Sequence, residues 1–261
     1  MEIEIKQSLK TSLRKLKLMG MLPTLPDRVA YAKNTQLSPV DFLELCLQDE
    51  TERRAHRNLQ ARLKRASFSE EQTFEGFDWD VPVTFDRERV RDLFSLGFLE
   101  RKEDILLLGP VGVGKTFLAS ALGHSACRAG KKVLFISASK MFKELLQARA
   151  DVTRETALQR LLATDLLIID DFGLRQLDVT QSSDIYEIIV ERHRKASTIV
   201  TSNRSLDEWV PLFDDPLLAQ SALDRIGHNA HQIVIQGESY RKQNGPRGKI
   251  SGDKKLSSAK G

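Results

Sequence analysis

One eight-residue stretch restricts the fold of this 261-residue chain more than any other. Residues 109 to 116 read GPVGVGKT, which satisfies the phosphate-loop pattern G-x-x-x-x-G-K-[ST]. The stretch follows an apolar run that begins at Ile105 and precedes a helical pattern, and this is the context that a phosphate loop requires. A glycine-rich turn with an incidental lysine is the alternative. By chance the pattern arises in roughly one such sequence per hundred, so we expect a nucleotide-binding loop.

The residue types of this stretch explain its chemistry. Its glycines let the backbone curl, so that N–H groups and the start of the next helix face phosphates. Lys115 is predicted to neutralise charge on the β and γ phosphates, and the Thr116 hydroxyl is predicted to bind Mg²⁺. The predicted ATP-binding residues here are Gly109, Pro110, Gly112, Val113, Gly114, Lys115, Thr116 and Phe117.

Five short apolar runs predict the sheet that carries this loop. They begin at Ile105, Lys132, Leu166, Thr198 and His231. A helical pattern precedes or follows each run. Continuous apolar strands that alternate with helices favour a parallel sheet covered on both faces.

The third apolar run ends on two adjacent aspartates, in LLIIDDFG. A phosphate-loop enzyme needs a carboxylate at the end of a neighbouring strand for Mg²⁺, and Asp170 is predicted to supply it. Asp171 is then free to orient or deprotonate the attacking water. Without the phosphate loop, the same pair would more often cap the next turn.

Two further positions are typical of ATPases that work as oligomers. Asn203 ends the run TIVTSN and is predicted to hold the water or the γ-phosphate, although a turn residue before a Ser205–Glu208 capping box fits the pattern equally well. Arg225 is predicted to reach the nucleotide of a neighbouring subunit as an arginine finger. An arginine beside an aspartate is otherwise usually a surface pair.

The first 66 residues are predicted to form a small helical domain. Leu9, Leu13 and Leu16 lie at helical spacing opposite a basic side, and a longer helix with a basic second half follows a cap at Ser38. Basic helix faces are usually solvated, so the pattern leaves DNA and an acidic protein partner both open. The predicted division is a helical domain at 1–66, a linker at 67–86, the ATPase domain at 87–241 and a disordered basic tail at 242–261.

The distribution of charged and apolar residues limits the classes of protein to which this chain can belong. The net charge is +4, of which residues 241–261 carry +6 and residues 1–240 carry −2. No apolar run is long enough to span a membrane, and the start MEIEIKQSLK lacks the apolar core of a signal peptide. We therefore expect a cytoplasmic protein without a membrane partner. Cys46 and Cys127 stand in no metal-ligand spacing and are predicted to be buried free thiols.

The chain resembles IstB-like proteins, the ATP-binding helpers of insertion-sequence transposases, in four blocks: GPVGVGKTFLASALG, LLIIDDFG, TSN and DPLLAQSALDRIGHNAHQIVIQGESYRK. More distantly it resembles the helicase loader DnaC. The resemblance implies an α/β AAA+ phosphate-loop ATPase of the initiator clade, with a five-stranded parallel sheet and a small all-helical N-terminal domain. It implies ATP and Mg²⁺ as cofactors. The implied partners are duplex DNA bound largely without sequence preference, a transposase, and further copies of the chain that assemble with ATP.

The resemblance also assigns roles to individual residues. It places Asp170 and Asp171 in the Walker B motif and Asn203 at sensor 1, and it makes Arg225 the arginine finger. Lys115 and Thr116 match the Walker A motif, and Arg241 is implied as a sensor-2-like contact to ATP. Most AAA+ proteins carry Glu where Asp171 stands, so we expect slow hydrolysis. The residues after Arg241 are too few for a C-terminal helical lid, and we expect none.

Residues 138–165 have room for two helices between the second and third strands, which matches the extra helix of the initiator clade. That insertion faces DNA in related initiators, although a solvated helix surface is the alternative. The predicted DNA contacts are Lys140, Lys143, Arg149 and Arg154. Other functions that the same core would serve are a helicase loader of the DnaC type, a small-molecule kinase, and a DNA clamp that barely hydrolyses ATP.

Overall fold

The computed structural model describes residues 4–68, 72–73, 76 and 83–238. The described residues fall into two compact units that divide between Ala61 and Arg62. The predicted division at 1–66, 67–86 and 87–241 stays a prediction. Arg241, the predicted tail and most of the predicted linker lie outside the described residues.

The first unit consists of helices, as expected. They are α1 (Gln7–Lys15), α2 (Met21–Thr35) and most of α3 (Pro39–Ala66). Ser38 caps α3, since its Oγ accepts a hydrogen bond from the Asp41 amide at 3.2 Å. The buried core of the unit comprises Leu13, Met21, Leu25 and Cys46.

The structure changes one expectation for the first unit and adds a detail to another. Of the three leucines expected on one apolar face of α1, Leu13 is buried, whereas Leu9 and Leu16 are 45% and 68% exposed. Part of the basic run on α3 has a structural role. Arg53 donates to the Met19 carbonyl and Arg54 donates to the Lys17 carbonyl, each at 2.8 Å, so both hold the turn between α1 and α2.

The second unit alternates strands with helices. In chain order it contains β1 (Val83–Thr84), α4 (Arg87–Leu93), α5 (Gly97–Arg101), β2 (Asp104–Leu108), α6 (Lys115–Arg128), β3 (Val133–Ser137), α7 (Ala138–Ala150), α8 (Arg154–Leu162), β4 (Leu166–Phe172), α9 (Val179–Arg192), β5 (Ser197–Ser202), a 3-10 helix (Leu206–Leu212), α10 (Pro216–His228), β6 (Ala230–Val234) and β7 (Gln236–Gly237).

The five apolar runs form one parallel sheet in the order β3-β4-β5-β2-β6, which confirms the prediction. Each strand begins within one residue of its predicted start. The carboxyl ends of β4, β5 and β2 are adjacent in this order. Because ligands of open parallel sheets bind outside the carboxyl ends of the strands, this edge is the place to search for a site.

Helices cover both faces of the sheet. Leu167 and Ile169 of β4 belong to a core shared with α7, α8, α9 and α10. Ile168 points the other way, because successive strand residues alternate between faces, and it lies against Gly123 of α6. The prediction of two helices between the second and third strands is confirmed by α7 and α8. Within the described ranges, no helix is long and apolar enough to cross a membrane.

Candidate nucleotide-binding site

The loop after β2 has a backbone that requires glycine. Gly109, Gly112 and Gly114 have φ angles of +146°, +87° and +98°, which residues with a Cβ rarely adopt. A Cβ on Gly109 would also lie 2.1 Å from the Ile235 carbonyl oxygen. The Gly109 amide donates to the Ser202 carbonyl at 3.1 Å, so the loop begins beside the end of β5.

Lys115 brings its ammonium group back over this loop. It is the first residue of α6, and its Nζ donates to the carbonyls of Gly109 and Pro110, each at 2.7 Å. The residue is 7% exposed. The loop therefore combines a buried cation with the start of a helix, and both attract phosphate. This arrangement fits the triphosphate of ATP.

Asp170 lies at the carboxyl end of β4 and accepts two hydroxyl hydrogen bonds on the same oxygen. Thr116 Oγ1 donates to its Oδ1 at 3.0 Å, and Thr201 Oγ1 donates to it at 2.6 Å. Burial raises the pKa of Asp170, and the charge of Asp171 adds to this effect, whereas Thr201, Thr116 and Lys115 oppose it. A carboxylate beside a threonine hydroxyl forms a donor set suited to Mg²⁺.

Asp171 turns away from Asp170 because β4 contains a bulge. Ile169 pairs with Val200 and Phe172 pairs with Ser202, so two aspartates face the single residue Thr201. Asp171 has a φ of +56° and is exposed, whereas Asp170 is 6% exposed. A bulge redirects a side chain in this way. The Asp170 carboxylate is therefore buried, and the Asp171 carboxylate faces solvent.

Asn203 follows β5 directly and is exposed. Since β5 lies between β4 and β2, Asn203 comes to the same edge as the aspartates and the phosphate loop. Arg204, which matches no motif in the sequence, donates from Nε to the Gly173 carbonyl at 2.6 Å. It therefore links the segments that follow β4 and β5.

Thr201 is the main site residue that sequence reasoning missed. Its only signal is a hydroxyl in the strand STIVTS, where Ser197, Thr198 and Ser202 also carry hydroxyls, so the sequence does not single it out. Its hydroxyl contacts the Asp170 carboxylate and the Asp171 amide, which lie 31 and 30 residues away along the chain.

Arg225 lies outside the group that the structure brings together. Its Nη1 donates to the Ser221 carbonyl at 2.7 Å, one turn earlier in α10. Its guanidinium carbon is 6.0 Å from the centre of the Tyr186 ring on α9. The assignment of Arg225 as an arginine finger concerns a neighbouring subunit, so it stays a prediction.

The four predicted DNA contacts have different surroundings. Arg149 and Arg154 both donate to Asp184 Oδ1 of α9, at 2.5 and 2.7 Å, and the Asp184 side chain is 2% exposed. Glu187 and Asp184 raise the pKa of Arg154. Lys140 and Lys143 are exposed on α7. The two lysines are therefore accessible, whereas the two arginines join α7 and α8 to α9.

A buried charged cluster lies at the opposite end of the sheet. Asp104 accepts from the Thr198 amide at 2.7 Å, and burial raises the pKa of this carboxyl to about 7. Arg192 donates to the Thr198 hydroxyl at 3.1 Å and to several backbone carbonyls, and burial lowers its pKa to about 10. We call Asp104, Arg192 and Thr198 the amino-end cluster. Its hydrogen bonds join β2 to β5 and α9 to β5.

Comparison with known proteins agrees with this geometry. A model of the family described as IstB-like ATP binding protein matches residues 11–247. The chain belongs to the IstB-like family. A Mycobacterium tuberculosis (strain ATCC 25618 / H37Rv) protein, described as an ATP-binding protein in an insertion sequence, is 38% identical over 240 residues, which cover 92% of this chain and 96% of the relative. The insertion sequence IS21 ATP-binding protein of Pseudomonas aeruginosa is 36% identical over 233 residues, covering 89% and 88%.

Solved structures of two other proteins share the fold. DnaI superimposes with a TM-score of 0.53 at 22% identity, over 63% of this IstB-like chain and 91% of its own. The replication initiator DnaA, bound to AMPPCP and single-stranded DNA, gives a TM-score of 0.53 at 20% identity, over 64% and 50% of the chains. At these identities the likeness shows the fold alone. The IstB-like chain therefore has an AAA+ phosphate-loop fold.

Proposed function

We propose that this IstB-like chain is a Mg²⁺-dependent ATPase that assembles with ATP on duplex DNA and stimulates an insertion-sequence transposase. The observation that carries the ATPase part is the convergence of Lys115, Thr116, Asp170 and Asp171 at one edge of the sheet. The phosphate loop and Lys115 bind and orient the triphosphate. Mg²⁺, when bound by Thr116 and Asp170, neutralises phosphate charge.

The proposed role of Asp171 follows from its exposure. Its carboxylate faces solvent beside the buried Asp170, so it can accept a proton from the attacking water. Asn203, on the neighbouring strand, is the residue that would orient that water or the γ-phosphate. Proton transfer by a placed carboxylate contributes roughly 100-fold to 10,000-fold in rate. Because a short aspartate reaches the water less well, we expect slow hydrolysis.

The DNA and transposase parts of the proposal rest on the family and on accessible charge. The relatives are ATP-binding proteins of insertion sequences. Lys140 and Lys143 are exposed on α7 and can meet DNA phosphates. A protein that assembles with ATP around such lysines would present a basic surface to the duplex.

Purified full-length protein tests the proposal directly. We expect ATP turnover that requires Mg²⁺, ATP-dependent binding to duplex DNA, and retention of an insertion-sequence transposase. Lys115→Ala should lose nucleotide affinity and, with it, DNA binding. Lys195→Ala is the matched control, because Lys195 is an exposed lysine paired with Glu191 at the surface. Wild-type nucleotide affinity in Lys115→Ala would contradict the phosphate-loop assignment, and ATP-dependent DNA binding without turnover would indicate a clamp.

A further inference from the structure

Thr201 is a buried hydroxyl residue at the middle of the candidate site. It lies in β5 next to Val200 and is 0% exposed. A buried hydroxyl needs hydrogen-bond partners, and Thr201 has two that both belong to the aspartate pair. Its Oγ1 donates to Asp170 Oδ1 at 2.6 Å and accepts from the Asp171 amide at 2.9 Å.

The second of these bonds fixes an unusual backbone. Asp171 has a φ of +56°, in the left-handed region that residues with a Cβ adopt with difficulty. The bulge of β4 removes this residue from the regular ladder, so its amide has no partner in the regular β4–β5 pairing. The Thr201 hydroxyl replaces that partner. It thereby holds the turn that points the Asp171 carboxylate outward.

The first bond fixes the other carboxylate. A threonine hydroxyl has one proton to donate, and Thr201 gives it to Asp170. Thr116 donates to the same oxygen but is also a predicted Mg²⁺ ligand. Thr201 lies within the strand and has no such second role. The Thr201 hydroxyl therefore fixes the buried Asp170 carboxylate by donating its proton to it. It fixes the Asp171 backbone, and through it the exposed carboxylate, by accepting from the Asp171 amide.

We propose that Thr201 is a positioning residue of the hydrolytic site, which fixes Asp170 and Asp171 relative to each other. The inference rests on the proposed ATPase function. It goes beyond the motif residues, because a hydroxyl at this position is required by the bulge of this chain and not by the phosphate loop.

Three variants separate positioning from packing. Thr201→Val keeps the branched shape and removes the hydroxyl, whereas Thr201→Ser keeps the hydroxyl and removes a methyl group. Thr198→Val is the matched control, since it makes the same change in the same strand at the amino-end cluster, away from the site. Each variant is assayed as the full chain. The readouts are turnover at saturating Mg²⁺ and ATP, nucleotide affinity, and amide hydrogen exchange of residues 166–173 without nucleotide.

We expect Thr201→Val to lower turnover at least about tenfold, because a misplaced carboxylate aligns water poorly. Its nucleotide affinity should stay within about threefold, since the phosphate loop is untouched. Its Asp171 amide should exchange at least about tenfold faster, because the hydrogen bond is lost. Thr201→Ser and Thr198→Val should keep wild-type turnover and Asp171 exchange.

Each other outcome has a defined meaning. Unchanged turnover or unchanged Asp171 exchange in Thr201→Val would overturn the inference. Equal losses in Thr201→Ser or Thr198→Val would also overturn it, because they would point to strand packing. A wild-type protein that binds ATP without turnover would instead overturn the proposed hydrolysis. The exchange rates alone would then decide whether Thr201 fixes the bulge.

Discussion

Asp171 is predicted to stand where most AAA+ proteins carry glutamate, and its backbone offers a reason for the shorter side chain. Its φ of +56° lies in the left-handed region. Aspartate and asparagine adopt this conformation more readily than other residues with a Cβ. A glutamate at position 171 would adopt this left-handed conformation less readily than aspartate does. The bulge that separates the two carboxylates therefore favours the shorter side chain, and we expect slower hydrolysis as the consequence.

The same argument makes Asp171→Asn a clean test of the proposed base. Asparagine tolerates the left-handed backbone equally well, so the bulge should remain. An amide cannot accept the proton of the attacking water, so turnover should fall by about 100-fold or more. Nucleotide affinity and ATP-dependent assembly should stay within about threefold, because the phosphate loop is unchanged. If steady-state turnover of the variant matches that of the wild type, the base is another group.

At the scale of elements, Asp184 joins the pair α7 and α8 to α9 through Arg149 and Arg154. Arg154→Ala should lower the free energy of unfolding by about 1 to 3 kcal/mol, because it removes a partner from a buried carboxylate. Arg160→Ala is the control on the same helix, since its pair with Glu144 is exposed and should contribute under about 1 kcal/mol. Urea denaturation measures both. Equal losses of unfolding free energy in the two variants would mean that the buried Asp184 carboxylate does not need Arg154 as its partner.

Sequence patterns predicted elements better than contacts between them. The apolar runs at Leu166 and Thr198 predicted their strands because burial on both faces requires such runs. The bulge at Asp170 and Asp171 was not predictable, since it arises from pairing with β5. Arg149 and Arg154 contact Asp184 from 35 and 30 positions away along the chain, which no local pattern encodes. The phosphate loop was predictable because its glycines and lysine serve a ligand directly.

The amino-end cluster makes stability depend on pH. The pKa of Asp104 is about 7 in the folded chain, above its ordinary value of 3.8, so the folded state binds the extra proton between these values. Stability contributed by this group is therefore lost as the pH rises towards 7. From pH 5 to pH 8, the unfolding free energy of wild type should fall by about 1 to 3 kcal/mol relative to Asp104→Asn. Parallel pH profiles from denaturant titrations would show that Asp104 does not cause the dependence.

At the scale of the whole molecule, the proposed DNA binding should be mainly electrostatic. Lys140 and Lys143 are exposed, and lysines contact phosphates without reading sequence. Affinity for duplex DNA should therefore fall steeply with salt. Removing both lysines should reduce the slope of log affinity against log salt by about 2. Fluorescence anisotropy measures this, with Lys195→Ala as the control. A salt-insensitive or strongly sequence-selective interaction would contradict the proposal.

Assembly of several copies provides the test of Arg225. Its side chain contacts Ser221 and Tyr186 within its own subunit. If it also completes the nucleotide site of a neighbour, Arg225→Ala protein should bind ATP normally but lose turnover, by roughly 1,000-fold if it equals other arginine fingers.

Mixing two inactive variants distinguishes this role from a local one. Lys115→Ala subunits retain Arg225, and Arg225→Ala subunits retain the phosphate loop. A mixed interface therefore pairs one intact nucleotide site with one intact arginine, and ATPase activity should return when the two proteins are combined. Neither variant can form such an interface alone. Size-exclusion chromatography with one protein tagged shows whether they assemble. Co-assembly without restored turnover would mean that Arg225 acts within its own subunit, through its contacts with α9 and α10.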